Sequence, residues 1–339
     1  MSVSIKEVAA AAGVSVGTVS NVLNRPEKVA AGTVERVTAA IDSLGFVRND
    51  AARQLRAGRS RSIGLVVLDA ANPFFADVAR GAEDRAAEAG MVVLLGNSDE
   101  AGEREDAYLD LFVEQRVNGV LITPAGDDIP KLERLRAAGV PVVLVDHDAP
   151  GSALASVTVD DIEGGHLAVA HLLAQGRRRV VFVGGSPSIR QVADRLDGAR
   201  RAVQEVSGAT LETLEVSALT VLQGRAAGEQ IVAMDAADRP DAVFAANDLL
   251  AVGLLQAFAL MSDIRVPHDI ALIGYDDIDF ASTTVVPLSS IRQPASAIGR
   301  TAVELLLREI DGADGGERTI RYRPELVVRT SSTARLADA

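Results

Sequence analysis

Apolar positions in the first 45 residues recur at helical spacing. Ile5, Val8, Ala9 and Ala12 form one stripe, Gly13-Val14-Ser15 interrupts it, and Val19, Val22 and Leu23 resume it. The pattern predicts two short helices joined by a tight turn, with Gly13 ending the first at positive φ, Val14 plugging the angle and Ser15 capping the second. A third helix is expected over 31–44, burying Val34, Val37, Ala40, Ile41 and Leu44 and ending at Gly45. Beyond residue 61 the period changes. Strand-like runs at 62–68, 91–96, 119–122, 140–145, 156–159, 179–183, 242–245 and 270–275 alternate with amphipathic stretches such as 75–90 and 164–175. Repeated βα units imply doubly wound parallel sheets with ligands at the carboxyl ends of the strands. The series restarts near Asp160-Asp161, which gives two similar lobes.

Composition narrows the function classes. A chain of 339 residues exceeds one ordinary domain, and Ala, Val and Leu carry an apolar content of 48% with only 3% aromatics. The absence of cysteine excludes disulfides, thiolate metal sites and cysteine nucleophiles. The start MSVSIKEVAAAAG has no basic segment followed by a long apolar run, and no stretch approaches the ~18 apolar residues of a membrane span, so a cytoplasmic protein with no membrane partner is expected. The net charge of −13 argues at first against nucleic acid. It is unevenly spread: residues 1–61 hold nine Lys or Arg against five acids, a surplus of +4, leaving −17 for the rest. A small polyanion-binding head on an acidic body fits that asymmetry.

The run SIKEVAAAAGVSVGTVSNVLNRPEKVAAGTVERVTAAIDSLGFVRNDAARQLRAGRSRSIGLVV resembles the start of LacI/GalR (lactose-repressor) family regulators nearly position for position. The resemblance implies that the second helix, about 16–24, lies in the DNA major groove. Val16, Gly17 and Asn21 would then read bases, Ser15, Thr18 and Ser20 would contact phosphates, and Asn24 closes the DNA-binding set on this helix. Val16 offers only apolar contact, for instance to a thymine methyl, and Gly17 only close approach; Asn21 can bond adenine bidentately. Packing against the third helix is the alternative for Val16. The resemblance also makes 51–56 a hinge helix capped by Asn49 or Asp50, in which Leu55 wedges into a minor-groove base step and Arg53, Arg56 and Arg59 hold phosphates. Read without it, 48–61 is a basic linker.

For residues 62–339 the resemblance implies a periplasmic-binding-protein-like effector domain with three crossovers between lobes, near Asp160, within 289–292 and within 321–323. Lobe 1 then spans about 62–160 and 292–321, and lobe 2 about 161–290 and 322–332, after a head over 1–47. An interlobe pocket would draw on Asp69, Asn72, Phe74 and Phe75, then Thr123, Asp146, Gln191 and Arg195, then Leu219, Asn247, Asp276 and Gln293. Duller roles stand beside these: core packing for a phenylalanine, a turn cap for Asp69, a helix cap for Asn247 or Asp248, a structural ion pair for Arg195 and Asp276. Carboxylates, amides and one guanidinium beside an aromatic face suit a neutral hydroxyl-rich molecule, best a sugar. Leu219 stands where relatives often carry an aromatic, which weakens a second stacking wall and leaves a purine or a phosphorylated metabolite open.

Catalysis finds little support. The chain has no GxxxxGK, and Asp69-Ala70-Ala71-Asn72 follows the first strand instead of a dinucleotide fingerprint. His166 and His171, five apart, do not share a helix face as metal ligands do. The run Gly184-Gly185-Ser186-Pro187-Ser188 reads as a strand-end turn more readily than as an anion nest. No cofactor and no metal are expected. The expected partners are palindromic double-stranded operator DNA, a small-molecule effector and a second copy of the chain; no leucine heptad series at the end suggests a tetramer. An exported sugar-binding transport protein and a regulator answering to a corepressor protein are the rival readings.

Overall fold

The computed structural model describes residues 3–46, 60–126, 128–312 and 317–333 and divides the chain into two compact units, 1–60 and 61–339. In the first, α1 (Ile5–Ala12), α2 (Val16–Asn24) and α3 (Ala31–Leu44) enclose Val8, Ala9, Ala12, Val19, Val22, Val37 and Ala40. Ser4 and Glu7 cap α1 reciprocally, Gly13 ends it at φ 63°, and Ser15 starts α2 by accepting from the Thr18 N–H at 3.1 Å. Leu44 is not in this core: it is 36% exposed, whereas Ile41 before it and Phe46 after it pack against the core.

The second unit contains two six-stranded sheets. The first orders β11-β5-β4-β3-β1-β2, from β1 (Ser62–Val67), β2 (Val92–Asn97), β3 (Val120–Ile122), β4 (Val142–Val145), β5 (Ala155–Val159) and β11 (Thr319–Tyr322). The second orders β12-β10-β9-β8-β6-β7, from β6 (Arg179–Gly184), β7 (Thr210–Glu215), β8 (Ala242–Ala245), β9 (Ala271–Asp276), β10 (Ser289–Arg292) and β12 (Glu325–Val327). Every pairing is parallel except β12 against β10. The chain therefore changes lobe after β5, after β10 and between β11 and β12. Residues 289–292, expected to cross, are a strand of the second sheet; the crossing follows at Gln293-Pro294, where proline cannot extend the ladder.

Paired helices cover the sheets, and glycines set their spacing. Helices α7 (Asp161–Ala174) and α8 (Arg190–Gln204) touch backbone to backbone. A Cβ on Gly165 would overlap the Arg195 carbonyl, and one on Gly198 the Ile162 carbonyl. The same reciprocity joins α4 (Pro73–Glu88) to α11 (Ala295–Ile310) through Gly81 and Gly299, and α9 (Val221–Ala233) to α10 (Asp248–Met261) through Gly224 and Gly253. The remaining helices are α5 (Gly102–Glu114) and α6 (Ile129–Ala137). Among the described residues no helix is long and apolar enough to cross a membrane.

Candidate functional site

On the first unit, Ser15, Val16, Gly17, Asn21 and Asn24 are exposed along one side of α2, while Val19 and Val22 are buried on the other. Val16 is 40% exposed and so does not pack into the core. A Cβ at Gly17 would meet only Ser15 Oγ, at 3.6 Å, so packing does not demand this glycine. Thr18 and Ser20 are half-buried; Thr18 shares a 2.9 Å hydrogen bond with Ser15, and Asn24 Nδ2 donates to the Ser20 carbonyl at 2.8 Å. Arg53, Leu55 and Arg56, with the hinge helix predicted around them, lie outside the described residues.

In the second unit the carboxyl ends of β1, β4, β6, β8 and β9 converge on a cavity of about 40 Å³ between the lobes. Ten of the twelve predicted pocket residues line it: Asp69, Asn72, Phe74, Phe75, Asp146, Gln191, Arg195, Leu219, Asn247 and Asp276. Thr123 does not. It is fully buried, and the 123–126 loop is held by Glu105, whose carboxylate accepts from the Ala125 N–H at 2.7 Å. Gln293 faces a neighbouring hollow but donates from Nε2 to Asp276 Oδ1 at 2.8 Å. Leu68, Glu100, Ile189 and Val192 complete the wall.

Arg195 organises the charge. Its Nε donates to Asp161 Oδ1 at 2.8 Å, its Nη1 to the Ala246 carbonyl at 2.7 Å, and Nη1 lies 3.9 Å from Asp276 Oδ1. The guanidinium stacks 3.6 Å from the centre of the Tyr275 ring. Burial opposes its charge, yet Asp161, Tyr275, Asp276 and Asp146 together hold its pKa above the ordinary value. Asp161 is thus the closest carboxylate partner of Arg195, a role that its place as the first residue of α7 conceals, since acids are commonplace there.

Two strand-end aspartates take left-handed backbone conformations, Asp146 at φ 52° and Asp276 at φ 103°. Both carboxyls are buried. Burial raises the Asp146 pKa well above the carboxylate range, Asp161 and Asp276 add to it, and Arg195 and Gln191 only partly offset it. Asp276 is pushed up to about 6 by burial, against Arg195, Asn72 and Gln293, which lower it. The lobes touch through these acids: Asn72 Nδ2 donates to Asp276 Oδ2 at 3.2 Å, and Gln191 Nε2 to the Asp146 carbonyl at 2.6 Å. Several lining residues also cap. Asp69 accepts from the Ala71 N–H, Asn72 from Phe74, and Asn247 from Leu250 while donating to the Leu219 carbonyl. Asp248 instead serves Ser290 and Ile278, away from the cavity.

The raised Asp276 pKa carries a stability consequence. Between the ordinary value of 3.8 and about 6 the folded chain binds more protons than the unfolded one, so stability falls as pH rises through that window. The shift of about two pH units corresponds to ~3 kcal/mol. Asp146 and Asp248 act in the same direction. Urea unfolding between pH 4 and 7 should show a shallower decline for Asp276→Asn than for the wild type; parallel curves would exclude Asp276 as a contributor.

Among the described residues no group of His, Asp and Glu is arranged to hold a metal ion. His166 Nε2 meets Glu205 at 3.2 Å and His171 Nε2 meets Ser332 at 2.9 Å, in separate places. Residues 186–188 form a turn in which Ser188 donates to Ser186.

Residues 4–49 match the family described as bacterial regulatory proteins, lacI family, and residues 169–332 match the periplasmic binding protein-like domain. A curated relative, the HTH-type transcriptional repressor PurR of Photobacterium profundum, is 34% identical over 96% of this chain and 98% of its own. The chain belongs to the LacI family of DNA-binding transcriptional repressors. Its fold matches the lac repressor dimer bound to operator and the anti-inducer ONPF, at 27% identity and TM-score 0.84 over 98% of this chain and all of that one. It also matches the transcriptional regulator CelR in complex with cellobiose, at 31% identity and TM-score 0.70, over 97% and 99%. Family membership makes this a DNA-binding transcriptional regulator.

Proposed function

We propose that this repressor is a cytoplasmic homodimer whose affinity for a palindromic operator is set by a neutral, hydroxyl-rich effector, a sugar, held between the lobes. The carrying observation is the charge of the cleft. One guanidinium, Arg195, stands against Asp69, Glu100, Asp161 and Asp276, beside an Asp146 whose proton burial retains, so a phosphate or carboxylate would enter a field of its own sign. Hydroxyls can donate to the strand-end carboxylates and accept from Arg195, Asn72 and Gln191, while Phe74 and Phe75 pack a ring face. The CelR relative with bound cellobiose supports this reading.

A purine-type effector is the second reading, favoured by relatives named PurR at 32–34% identity. Against it, the lobe facing Phe74 and Phe75 offers Ile189, Val192 and Leu219, aliphatic groups that cannot close an aromatic sandwich. A thermal-shift screen of neutral sugars, sugar phosphates and nucleobases separates the readings. A ligand at a hundred times its dissociation constant stabilises by ~2.7 kcal/mol, and the sugar reading requires that a neutral sugar give such a shift. Stabilisation by nucleobases alone would replace it with the second reading.

Dimerisation is supported by β2 and α5, which leave Val92, Leu94, Leu95, Leu111 and Val113 exposed on lobe 1. Two heads on a two-fold axis also multiply specificity where one small head contacts few bases. For DNA binding we assign base reading to Val16, Gly17 and Asn21 and the minor-groove wedge to Leu55. Leu55→Ala removes the wedge but retains Arg53 and Arg56. Specific operator affinity should fall about tenfold or more, with affinity for random DNA and its salt dependence unchanged. Equal operator affinity in a gel shift would reduce 48–61 to a linker.

A further inference from the structure

The turn after β9 holds two consecutive aspartates in left-handed backbone, Asp276 at φ 103° and Asp277 at φ 53°. Such a pair is unfavourable for residues other than glycine and persists where the surroundings fix it. Asp276 lines the interlobe cavity and Asp277 does not. The Asp277 side chain is only 4% exposed and is gripped from two segments: Oδ2 accepts from Arg292 Nε at 2.8 Å and Oδ1 from Arg329 Nη1 at 2.6 Å. Its backbone N–H donates to Ser290 Oγ at 3.0 Å. A buried carboxylate shared by two guanidiniums is a far firmer contact than an exposed pair within one turn, such as Arg265 with Asp269.

Both arginines stand beside crossings between the lobes. Arg292 ends β10, directly before the crossing at Gln293-Pro294, and Arg329 lies just past β12, the strand entered from β11. Arg292 Nη1 also meets Glu325 Oε2 of β12 at 3.4 Å, and Arg329 Nη1 donates to the Leu288 carbonyl ahead of β10 at 2.7 Å. Asp276 takes the next residue along, Gln293, at 2.8 Å, and meets Asn72 of the first lobe at 3.2 Å. Adjacent aspartates therefore hold adjacent residues of one crossover. The third crossing, after β5, reaches the same point through Asp161, whose partner Arg195 lies 3.9 Å from Asp276. Two lobes joined by three crossovers change their mutual angle by bending those segments. A residue that fixes two of them, and also sets the backbone beneath a cavity carboxylate, ties the shape of the cavity to that angle.

We propose that Asp277 is a positioning residue that clamps two of the crossovers and holds Asp276 in register with them, so that the cavity and the lobe angle move as one. This rests on the cavity being the effector site, and adds the residue that carries its occupancy to the lobe angle.

The test is the distance between two nitroxide labels, one on each lobe, read by double electron-electron resonance in the ligand-free full chain. The chain has no cysteine, so Arg134→Cys on α6 and Arg201→Cys on α8, both exposed, label it without background. Labelled chain is diluted with unlabelled chain, so that distances within one copy are read. Asp277→Asn keeps the size and the tolerance of left-handed backbone but offers one oxygen to two arginines. Its distance distribution should widen about twofold or more relative to the parent. Asp269→Asn, which breaks the exposed Arg265 pair at the other end of β9, should leave the width unchanged. If Asp277→Asn melts early, Arg329→Gln removes one arm of the clamp and should widen the distribution in the same way. An unchanged width in the folded variant, or equal widening in Asp269→Asn, overturns the clamp and leaves the effector reading standing. That reading fails separately, on a thermal-shift screen in which no small molecule stabilises the chain, and takes the effector half of the proposal with it.

Discussion

Arg195→Ala should lower the unfolding free energy by about 3–5 kcal/mol at pH 7 and abolish effector response, because it leaves several buried carboxyls without their shared cation. The guanidinium bonds Asp161 and the Ala246 carbonyl, lies 3.9 Å from Asp276 and stacks on Tyr275, so no single replacement group can take over its contacts at once. The penalty should depend on pH. Arg195 lowers the pKa of both Asp146 and Asp276 in the folded chain. Without it these groups hold protons to higher pH, and their ionisation opposes folding more strongly. Lowering the pH to 5 protonates them and should shrink the difference between variant and wild type. Urea unfolding of both proteins at pH 7 and pH 5 measures this; an equal loss at the two values would contradict the electrostatic role. Arg195→Lys should rescue little, since an ammonium cannot reach a carboxylate and a carbonyl in divergent directions while stacking on a ring.

Gly198→Ala should cost about 1–3 kcal/mol, toward the upper end, although it adds one methyl group to a good helix former. The obstacle is backbone: the new Cβ would overlap the Ile162 carbonyl, and Gly165 sits equally close to the Arg195 carbonyl. Separating α7 from α8 moves Asp161 away from Arg195, since the two residues stand on opposite members of this pair. Effector affinity should therefore fall together with stability. Gly102→Ala, at a site where a Cβ meets nothing within 4 Å, is the control and should change stability by less than ~0.5 kcal/mol. Comparable effects of the two substitutions in urea unfolding would show that the helix crossing does not require its glycines.

The strands buried on both faces are legible in the sequence because they are short β-branched runs, and most pocket residues follow from the rule that ligands sit at strand carboxyl ends. The edge strands β7, β11 and β12, and β10 beside β12, are not, although the edge strand β2 is. In β7 the sequence TLETLE puts its half-buried leucines three apart, Leu211 and Leu214, with Glu212 and Thr213 between, which reads as neither period two nor a core run. In β10, Ser289-Ser290-Ile291-Arg292 looks like a loop because its polar groups are satisfied by Ser331, Ser332, Arg329 and Asp248, partners distant in sequence. Asp161 reads as a lobe boundary and not as a site residue, for nothing local distinguishes a carboxylate that pairs with Arg195 from one that favours a helix start. Glu100 escapes notice for a similar reason: it enters the cavity wall from a loop in left-handed backbone, φ 58°, whose direction no local pattern encodes. Thr123 shows the converse error, since a position after a strand says nothing about which loop covers it.

The central claim is that one chain couples operator reading by α2 to an effector held between its lobes. A gel-shift titration of the full chain on the DNA upstream of its own coding sequence tests it directly, at fixed salt, against random DNA, with and without the sugar that most raises its melting temperature. The account predicts binding at least ~10³-fold tighter than to random DNA, and a change of about tenfold or more on adding the sugar that is lost in Arg195→Lys. Binding no tighter than to random DNA, or operator binding indifferent to every sugar that stabilises the protein, would contradict it.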